Sequence, residues 1–423
     1  MRIAIVGAGI IGVTTAYELA IDGHEVTVFE RRSAVAEESS FANAGVVAPG
    51  AVAPWAAPGM PAKVARYLFS RHAPVKLSLP LSVHELNWML QWWRACSLET
   101  YLLNRARLQR LAFYSRERMA VLTEHLQLEY DRSVGYLVLL RSEKDNLLVQ
   151  PGLQVLRDAG VRFTEIDAAR ARTIEPALNP DMDFLGAIHL PDDEVGNCRQ
   201  FALLLRNAAV ALGVDFQFNS VVAPLDPARP ASLRVDSPYA PAQRRDFHAV
   251  VVCGGVDSAA LLAPVGLAVP LAAVHGYSIT AAIGEPLNAP NSALMDERYK
   301  VAISRLGSRV RVAGSAEIGG APGRKRPEAL QTLYKVLQDW FPGAAQLANP
   351  RAAVQEWKGA RPMLPDGPPL LGATGVPGVW INLGHGSSGW ALSCGSARAV
   401  ADLMSGRAPD LDISGLGVER LFA

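Results

Sequence analysis

Short apolar runs that end at a glycine recur along the chain of 423 residues. The first, residues 2–6 (RIAIV), leads directly into GAGIIG at residues 7–12. The following VTTAYELAIDG predicts a helix that ends at Gly23, and the alternating residues 25–30 (EVTVFE) predict a second strand. The pattern therefore predicts a unit of strand, glycine turn, helix and strand at the N-terminus.

Later parts of the chain contain two kinds of strand. Residues 247–255 (FHAVVVCGG) and 378–384 (GVWINLG) are β-rich runs ended by glycine, which is typical of buried strands that reach a ligand crevice. Residues 300–317 alternate around a Gly-Ser turn and predict an antiparallel hairpin. Because 423 residues exceed one compact unit, the two kinds of strand predict two architectures side by side.

The first glycine turn has the spacing of a dinucleotide site. Gly7 makes the tight turn, Gly9 lets the main chain approach a pyrophosphate, and Gly12 lets the helix pack closely on the strand. The helix N-terminus offers unpaired N–H groups and the positive end of its dipole. Glu30 ends the second strand, where an acid binds a ribose and repels a 2′-phosphate. The sequence therefore predicts a site for a dinucleotide other than NADP.

Composition and charge exclude several functions. With 41 basic and 40 acidic residues the formal net charge is +1, so nucleic acid is not an expected partner. The four cysteines form no C-x-x-C pair, which predicts neither a metal site nor disulfides and favours the cytoplasm. Residues 54–94 mix tryptophan, aliphatic and basic residues; this composition fits a lid or core helix, or a peripheral contact with the inner face of the cell membrane.

Six motifs carry a family resemblance. GAGIIG with Glu30, ESSFANAG, PDDEVGNC, HGYSIT, ARPMLPDGPPLLG and GHGSSGW follow one another in an order that resembles the D-amino acid oxidase-like family of FAD-dependent oxidoreductases. The resemblance implies a discontinuous α/β FAD-binding Rossmann-like domain with an α+β substrate domain built on an antiparallel sheet. The FAD-binding domain would comprise residues 1–70, 150–275 and 355–423, and the substrate domain residues 71–149 and 276–354. The resemblance also implies one non-covalent FAD.

The resemblance also implies the residues that hold the cofactor. They surround the pyrophosphate at the glycine turn, the adenosine at the end of the second strand, and the flavin at residues 39–45 and 384–389. The implied set is Gly7, Ala8, Gly9, Ile10, Ile11, Gly12, Glu30, Arg31, Ser39, Ser40, Asn43, Ala44, Gly45, Val222, Gly255, Gly384, Gly386, Ser387, Ser388 and Gly389.

GHGSSG repeats the G-x-G-x-x-G spacing near the C-terminus. It follows the strand VWINL and starts a helix, but no second strand ending in an acid follows it, since SGRAPDLDISGLG comes next. A second dinucleotide site is therefore not expected. We predict that this turn places a second helix N-terminus near the pyrimidine edge of the same flavin, where its dipole stabilises the negative charge of the reduced ring.

Arg361 is the candidate that anchors the substrate. It precedes Pro362 and the rigid turn PDGPP, and a guanidinium matches a carboxylate in two parallel hydrogen bonds. The resemblance assigns this role to an arginine in the R-P-x-x-P-D-G setting. The alternative is a structural ion pair, for example with Asp366.

Two tyrosines and two histidines are further candidates. Tyr277 and Tyr299 are expected to bind the substrate carboxylate or to wall its side-chain pocket, with core packing as the alternative. His385 is expected near the flavin or substrate. His275 stands before GYS, where relatives carry lysine, and a structural role is favoured for it. Asn197 of PDDEVGNC is expected to cap a helix that starts near Cys198.

The resemblance implies a dehydrogenase that oxidises D-amino acids, of the D-alanine type, to 2-oxo acids and ammonia by hydride transfer to flavin N5. Electrons would pass to a quinone-type acceptor. Alternatives within the family are an oxidoreductase for proline, hydroxyproline or sarcosine-like secondary amines, and a true oxidase. A non-catalytic flavoprotein subunit of an electron-transfer complex is the alternative from another class.

Overall fold

The structure is a computed structural model that describes residues 1–67, 72–321, 323–345 and 353–422. Its strands are β1 (Arg2–Val6), β2 (Glu25–Phe29), β3 (Val46–Val47), β4 (Val75–Ser78), β5 (Ser133–Leu140), β6 (Thr164–Asp167), β7 (Gly186–Val195), β8 (Asp215–Gln217), β9 (Val221–Val222), β10 (Ser232–Ser237), β11 (Ala240–Asp246), β12 (Ala249–Val252), β13 (Ala272–Ala282), β14 (Ala293–Asp296), β15 (Val301–Leu306), β16 (Arg309–Gly319), β17 (Gln355–Met363), β18 (Leu370–Ala373) and β19 (Val379–Leu383).

The helices carry the connections between these strands. They are α1 (Ile10–Ile21), α2 (Met60–Tyr67), α3 (Val83–Arg94), α4 (Leu98–His125), α5 (Glu143–Asp158), α6 (Ala168–Ile174), α7 (Cys198–Ala211), α8 (Ser258–Leu262), α9 (Pro327–Trp340) and α10 (Gly389–Met404). Asn197 caps α7 as expected, since its side chain accepts a hydrogen bond from the main chain of Gln200.

One sheet has the order β18-β19-β12-β1-β2-β8, and its strands are parallel except for β18. Helices α1, α4, α7 and α10 share a buried apolar core with one face of this sheet. The smaller sheet β11-β10-β9 packs on the other face. Both faces are covered, which is why β1 and β12 read as continuous apolar runs.

A second sheet runs in the order β17-β13-β16-β15-β14-β5-β7-β3 and is mostly antiparallel. β4 and β6 pair with β16 and β7 at its margins. Helix α9 packs on one face of this sheet, and α3 packs on the opposite face near β13 and β17. The predicted fold class, a Rossmann-like α/β part with an α+β part on an antiparallel sheet, is confirmed.

The predicted local elements are also confirmed. The strand, turn and helix at the N-terminus are β1, residues 7–9 and α1. The runs ended by glycine contain β12 and β19, and the predicted hairpin is β15 with β16. Each of these segments has a strong local pattern of apolar residues.

The predicted domain ranges differ from the division between the sheets. Strands β6, β7 and β17 fall in ranges assigned to the FAD-binding part, yet they belong to the mostly antiparallel sheet. The reason is that this sheet is assembled from distant segments, whose pairing no local pattern specifies. The ranges remain a prediction as a division into domains, and the boundary at residues 70 and 71 lies outside the described residues.

A buried ionic network holds together helices α1 and α10, which follow the two glycine turns, and helix α4. The carboxylate of Glu18 on α1 is inaccessible to solvent and accepts hydrogen bonds from Arg118 of α4, at 2.7 and 2.8 Å, and from Arg398 of α10, at 2.7 Å. Each buried charge is paired, so the network fixes the relative position of the three helices. No helix in the described ranges is both long and apolar enough to cross a membrane.

Asp193 on β7 is a buried carboxyl group without a partner for its Oδ2 atom. It is 2% exposed, and burial raises its pKa from 3.8 to about 7. Because the pKa of this carboxyl group is higher in the folded than in the unfolded state, the free energy of unfolding falls as the unfolded chain loses its proton first. The fall extends from about pH 4, the unfolded pKa, to about pH 7, the folded pKa.

We predict that Asp193→Asn stabilises the protein increasingly with pH. The gain in unfolding free energy over the wild type should be about 2–3 kcal/mol larger at pH 8 than at pH 5, because the amide cannot ionise. Denaturant unfolding at both pH values measures it. The exposed neighbour Asp192 is the control, because Arg162 lowers the pKa of its carboxyl group. A pH-independent gain for Asp193→Asn, or an equal gain for Asp192→Asn, would contradict the prediction.

Candidate active site

The three glycines of the first turn have different physical roles. A Cβ on Gly7 would lie 2.6 Å from the carbonyl oxygen of Cys253, and a Cβ on Gly12 would lie 1.9 Å from the carbonyl oxygen of Gly7. Both positions therefore require glycine for packing alone. A Cβ on Gly9 would meet only the Oγ of Ser40, at an ordinary 3.6 Å. Protein packing does not explain Gly9, whereas the close approach of a ligand does.

The N-terminus of α1 is open where a phosphate is expected. Gly9 precedes the helix and provides no side-chain cap, and only the N–H of Ile10 is satisfied by a side chain, the Ser40 hydroxyl at 3.1 Å. Ala8 and Ile11 flank the turn with their main chain, and the side chain of Ala8 is buried. Orphan N–H groups and the helix dipole favour an anion at this point.

Glu30 is held rigidly beside the same turn. Its Oε2 accepts a hydrogen bond from the main chain of Ala8 at 2.7 Å, and its Oε1 accepts one from the main chain of Arg32 at 2.8 Å. Carboxylate oxygens accept two bonds each, so lone pairs remain for a ribose. The main chain of Ser220 donates to the Glu30 carbonyl at 2.8 Å, which brings Val222, two residues further on, to this end of the site.

Arg31 and Gly255 lie at the same edge of the parallel sheet. The guanidinium of Arg31 forms ion pairs with Glu38, at 3.1 Å, and with Asp257, at 2.7 Å. Gly255 has φ of +59° and begins a short 3-10 turn after β12. Both residues therefore lie at the edge of the parallel sheet where the dinucleotide is predicted to bind, although the side chain of Arg31 forms ion pairs with acidic residues.

Residues 39–45 connect the glycine turn with the second sheet and with α10. The hydroxyl of Ser39 donates to the carbonyl oxygen of Ala360 on β17, and Ser304 donates to the Ala44 carbonyl at 2.7 Å. The carbonyl oxygen of Gly45 accepts a bond from Trp390 of α10 at 3.1 Å. The Oδ1 atom of Asn43 accepts from the Gly45 main chain at 3.0 Å, which fixes the turn.

The second glycine turn meets the end of β17. Met363 and His385 form an isolated antiparallel bridge, and a Cβ on Gly386 would lie 2.8 Å from the sulfur of Met363. Gly384 also has positive φ, and its Cβ would lie 2.5 Å from Leu364. Helix α10 begins at Gly389 with no side-chain cap from Ser388, and Ser387 is exposed. A second open helix N-terminus therefore faces the same region.

Arg361 lies on β17, two residues before that contact. Its guanidinium lies over Gly276 of the neighbouring strand, because a Cβ there would be 2.2 Å from Nη2. Its Nη1 donates to the carbonyl oxygen of Ser315 at 3.1 Å, and its guanidinium carbon is 5.9 Å from the centroid of the Trp55 ring. Gly276, Ser315 and Trp55 were not predicted; the glycine in HGYS was the one signal for the first of them.

The guanidinium of Arg361 has no carboxylate partner within the described residues. Burial alone lowers its pKa to about 10. The residues outside the described ranges include no aspartate or glutamate. The ion pair with Asp366 that the sequence left open does not form, because Asp366 pairs with Arg420 at 2.8 Å. A partly buried cation without a counterion is a candidate site for an anion.

The structure does not bring the other predicted groups to Arg361. In the pairing of β13 with β17, Arg361 is opposite Val274 and Tyr277 is opposite Lys358, so alternation puts Tyr277 on the other face of the sheet. There Tyr277 packs in the core under α9 and donates to Glu317 at 2.5 Å. Tyr299 packs on the same core, over Arg141. Both tyrosines thus pack in the core, which is the alternative that the sequence left open, and the structure does not place them beside Arg361.

The two histidines are buried. The Nε2 of His385 lies 3.0 Å from the hydroxyl of Ser396 inside α10, and burial lowers its pKa to about 3. The side chain thus supports the turn from inside, whereas its main chain bridges to β17. His275 is 4% exposed, and burial also lowers its pKa. A structural role for His275 remains the prediction.

The fold and this arrangement of glycine turns, acid and open helix termini define a flavin-dependent oxidoreductase of the Rossmann type. The chain belongs to the FAD dependent oxidoreductase (DAO) family, whose model matches residues 2–403. The cofactor is FAD, and the open main chain at Gly9 and the uncapped termini of α1 and α10 fit it.

Two curated relatives match over nearly their whole length. A D-amino acid dehydrogenase of Cereibacter sphaeroides is 43% identical, with 100% of this chain and 96% of the relative covered. A D-amino acid dehydrogenase of Rhizorhabdus wittichii is 41% identical, with 99% and 100% covered.

Solved structures share the fold at low identity. Glycine oxidase from Geobacillus kaustophilus gives a TM-score of 0.76 at 21% identity, with 99% of this chain and 98% of that chain covered. L-proline dehydrogenase from P. horikoshii gives 0.72 at 17% identity, with 100% and 97% covered.

We predict that Gly9→Ala folds normally but weakens FAD binding about tenfold or more. The added Cβ fits within the protein, but it lies where the pyrophosphate is expected to approach the main chain. FAD titration of the apoprotein, monitored by flavin fluorescence, measures the dissociation constant, and circular dichroism reports the fold. Gly152→Ala on α5 is the matched control, since a Cβ there meets nothing within 4 Å. Unchanged FAD affinity in Gly9→Ala would contradict the role given to this turn.

Proposed function

We propose that the chain is a dehydrogenase of D-amino acids, of the D-alanine type, that produces 2-oxo acids and ammonia. The observation that carries the proposal is the guanidinium of Arg361, which is partly buried, has no carboxylate partner in the described part of the chain and lies beside the second glycine turn. The names of the two curated relatives support the substrate class.

The protein positions the substrate through its carboxylate. Two N–H groups of Arg361 can bind both carboxylate oxygens in parallel, which fixes the orientation of the Cα–H bond. When bound, FAD supplies the acceptor of two electrons, which takes a hydride from the substrate. The resulting imino acid adds water and releases ammonia.

The site is arranged to exclude water on the side of Arg361. Trp88 and Trp92 of α3 are buried against β13 and β16, and Nε1 of Trp88 donates to the carbonyl oxygen of Met363 at 2.9 Å. The ring of Trp55 covers the guanidinium. Because a carboxylate binds a guanidinium more strongly in a medium of low dielectric, this cover strengthens the anchor.

No side-chain base is required, because a substrate with a neutral amino group needs only orientation and a hydride acceptor. His385 is hydrogen-bonded inside α10, and Tyr277 lies on the other face of the sheet. The secondary-amine and oxidase alternatives need the same anchor, so their distinction rests on substrate and acceptor. An electron-carrying subunit without turnover would not need an uncompensated arginine at this point.

A quinone in the membrane is the acceptor that we propose, and the surface of α3 supports it. Val83, Leu86, Leu90 and Trp93 follow one another at helical spacing and are exposed, whereas Trp88 on the other side is buried. Arg94 adds an exposed cation beside Trp93. This face fits peripheral contact with an anionic bilayer within residues 54–94, of which residues 68–71 lie outside the described residues.

We predict that D-alanine bleaches the flavin under anaerobic conditions, and that Arg361→Met lowers the second-order rate constant of bleaching about 100-fold or more. The loss follows from removing the partner of a desolvated carboxylate. Rapid mixing with absorbance detection measures both rates.

Tyr277→Phe should leave this rate unchanged within about twofold, since its hydroxyl contacts Glu317 on the other face of the sheet. L-Alanine should leave the flavin oxidised. Bleaching by proline or sarcosine but not by D-alanine would favour the secondary-amine alternative, and equal rates for Arg361→Met and wild type would mean that another group anchors the substrate.

We predict that replacing Leu86 and Trp93 together by serine lowers binding to vesicles with anionic lipid about tenfold or more, because two exposed apolar side chains lose their burial in the bilayer. Co-sedimentation measures the bound fraction. The matched control replaces Leu147 and Leu148 by serine, since these leucines of α5 are equally exposed. Equal losses for both pairs, or no binding by the wild type, would contradict the membrane contact.

A further inference from the structure

A cleft of about 440 Å³ lies apart from Arg361, between the start of α7, the turn that joins β15 to β16, and residues 39–45. Three arginines line it: Arg199, Arg309 and Arg311. Asp131 is the one acidic residue of the lining. The cleft therefore has two more positive than negative side chains.

Arg311 is the most deeply placed of these cations. It is 4% exposed, and its hydrogen bonds go to neutral oxygens, from Nε to the hydroxyl of Thr280 and from Nη1 to the carbonyl of Asn43, both at 3.0 Å. No aspartate or glutamate of the described ranges forms an ion pair with it. Burial lowers its pKa to about 10, with Arg309 as the next largest cause. The charge is desolvated without compensation, which is costly unless an anion binds.

The other two arginines are only partly neutralised within the cleft. The Nε of Arg199 is buried and has no hydrogen-bond partner. Arg309 approaches the carboxylate of Asp131 only to 3.7 Å, and that carboxylate already accepts from Asn197 at 3.2 Å. Asp131 therefore offsets at most one of the three charges.

The remaining walls are mixed, because neutral polar side chains (Asn197, Gln200, Ser308 and Gln355) accompany a smaller apolar part formed by Phe41, Leu203 and Leu306. The guanidinium of Arg199 lies 4.5 Å from the centroid of the Phe41 ring, and the side chains of Leu203 and Leu306 also line the cleft. Inorganic phosphate would satisfy the cations and the polar groups but would leave the apolar part of the lining, Phe41, Leu203 and Leu306, uncovered. A ligand with one carboxylate and a small flat apolar body would satisfy both.

We propose that this cleft is a second binding site, which takes a small organic carboxylate with an apolar body. Phe41 and the Asn43 carbonyl belong to the segment that connects the first glycine turn with β17. A ligand held there restrains that segment without contacting Arg361, so the site can regulate the enzyme independently of the substrate.

Calorimetric titration of the FAD-loaded protein with benzoate tests the proposal. The wild type should bind two molecules per chain, one at Arg361 and one in the cleft. Arg361→Met should keep one. In that background, replacing Arg199 and Arg309 together by methionine should weaken the remaining site at least tenfold, because two charged hydrogen-bond donors are lost. These two arginines are preferred to Arg311, whose replacement puts folding at risk.

Arg234→Met on β10, an exposed arginine outside the cleft, is the matched control and should not change benzoate binding. Displacement of benzoate by inorganic phosphate at equal concentration would show a site for any anion and would overturn the proposed ligand class. Absence of binding to Arg361→Met, or binding unaffected by loss of Arg199 and Arg309, would overturn the site itself. Because activity is not measured, failure here leaves the proposed dehydrogenase function standing.

Discussion

The site depends on one partly buried positive charge. Arg361 is desolvated over Gly276, bonded only to a carbonyl oxygen, and covered by the Trp55 ring. A guanidinium without a counterion destabilises the fold unless a ligand offsets the cost of its desolvation. The presence of Arg361 at this position therefore favours a carboxylate substrate. The sheet makes room for it with a glycine, because any side chain at residue 276 would collide with the guanidinium.

Strand β17 couples this charge to the cofactor. It belongs to the mostly antiparallel sheet through β13, yet its main chain accepts a bond from Ser39 at Ala360 and bridges to His385 at Met363. The open N-termini of α1 and α10 are thereby brought towards one region from two sides. The Glu18 network fixes the helices themselves. In our proposal the two glycine turns, their helix dipoles and Arg361 serve one cofactor site, and the lack of a second acid after GHGSSG in the sequence supports it.

What the sequence could predict followed from local patterns. Gly7, Gly9, Gly12 and Glu30 form a unit whose spacing is set by one strand, one turn and one helix, so neighbours in sequence are neighbours in space. Arg361 was found because a proline and a rigid turn follow it. The alternative partner, Asp366, is excluded only by Arg420, which lies more than fifty residues further along the chain.

What the sequence left open depended on strand register. Tyr277 could be placed on the face of Arg361 or on the opposite face, and the pairing of β13 with β17 decides between them. His385 and Tyr299 likewise required knowledge of which core their side chains enter. The cleft with Arg199 and Arg311 is assembled from five distant segments, and none of its arginines lies in a motif that would have predicted it.

A crystal structure of the FAD-loaded protein with a bound 2-oxo acid tests the account most directly. We expect one FAD per chain, with its pyrophosphate at Gly9 and its flavin between residues 39–45 and the turn at residues 384–389. The carboxylate of the ligand should lie about 3 Å from the guanidinium of Arg361. A second dinucleotide, or a ligand carboxylate bound on the face of Tyr277 and Lys358, would contradict it.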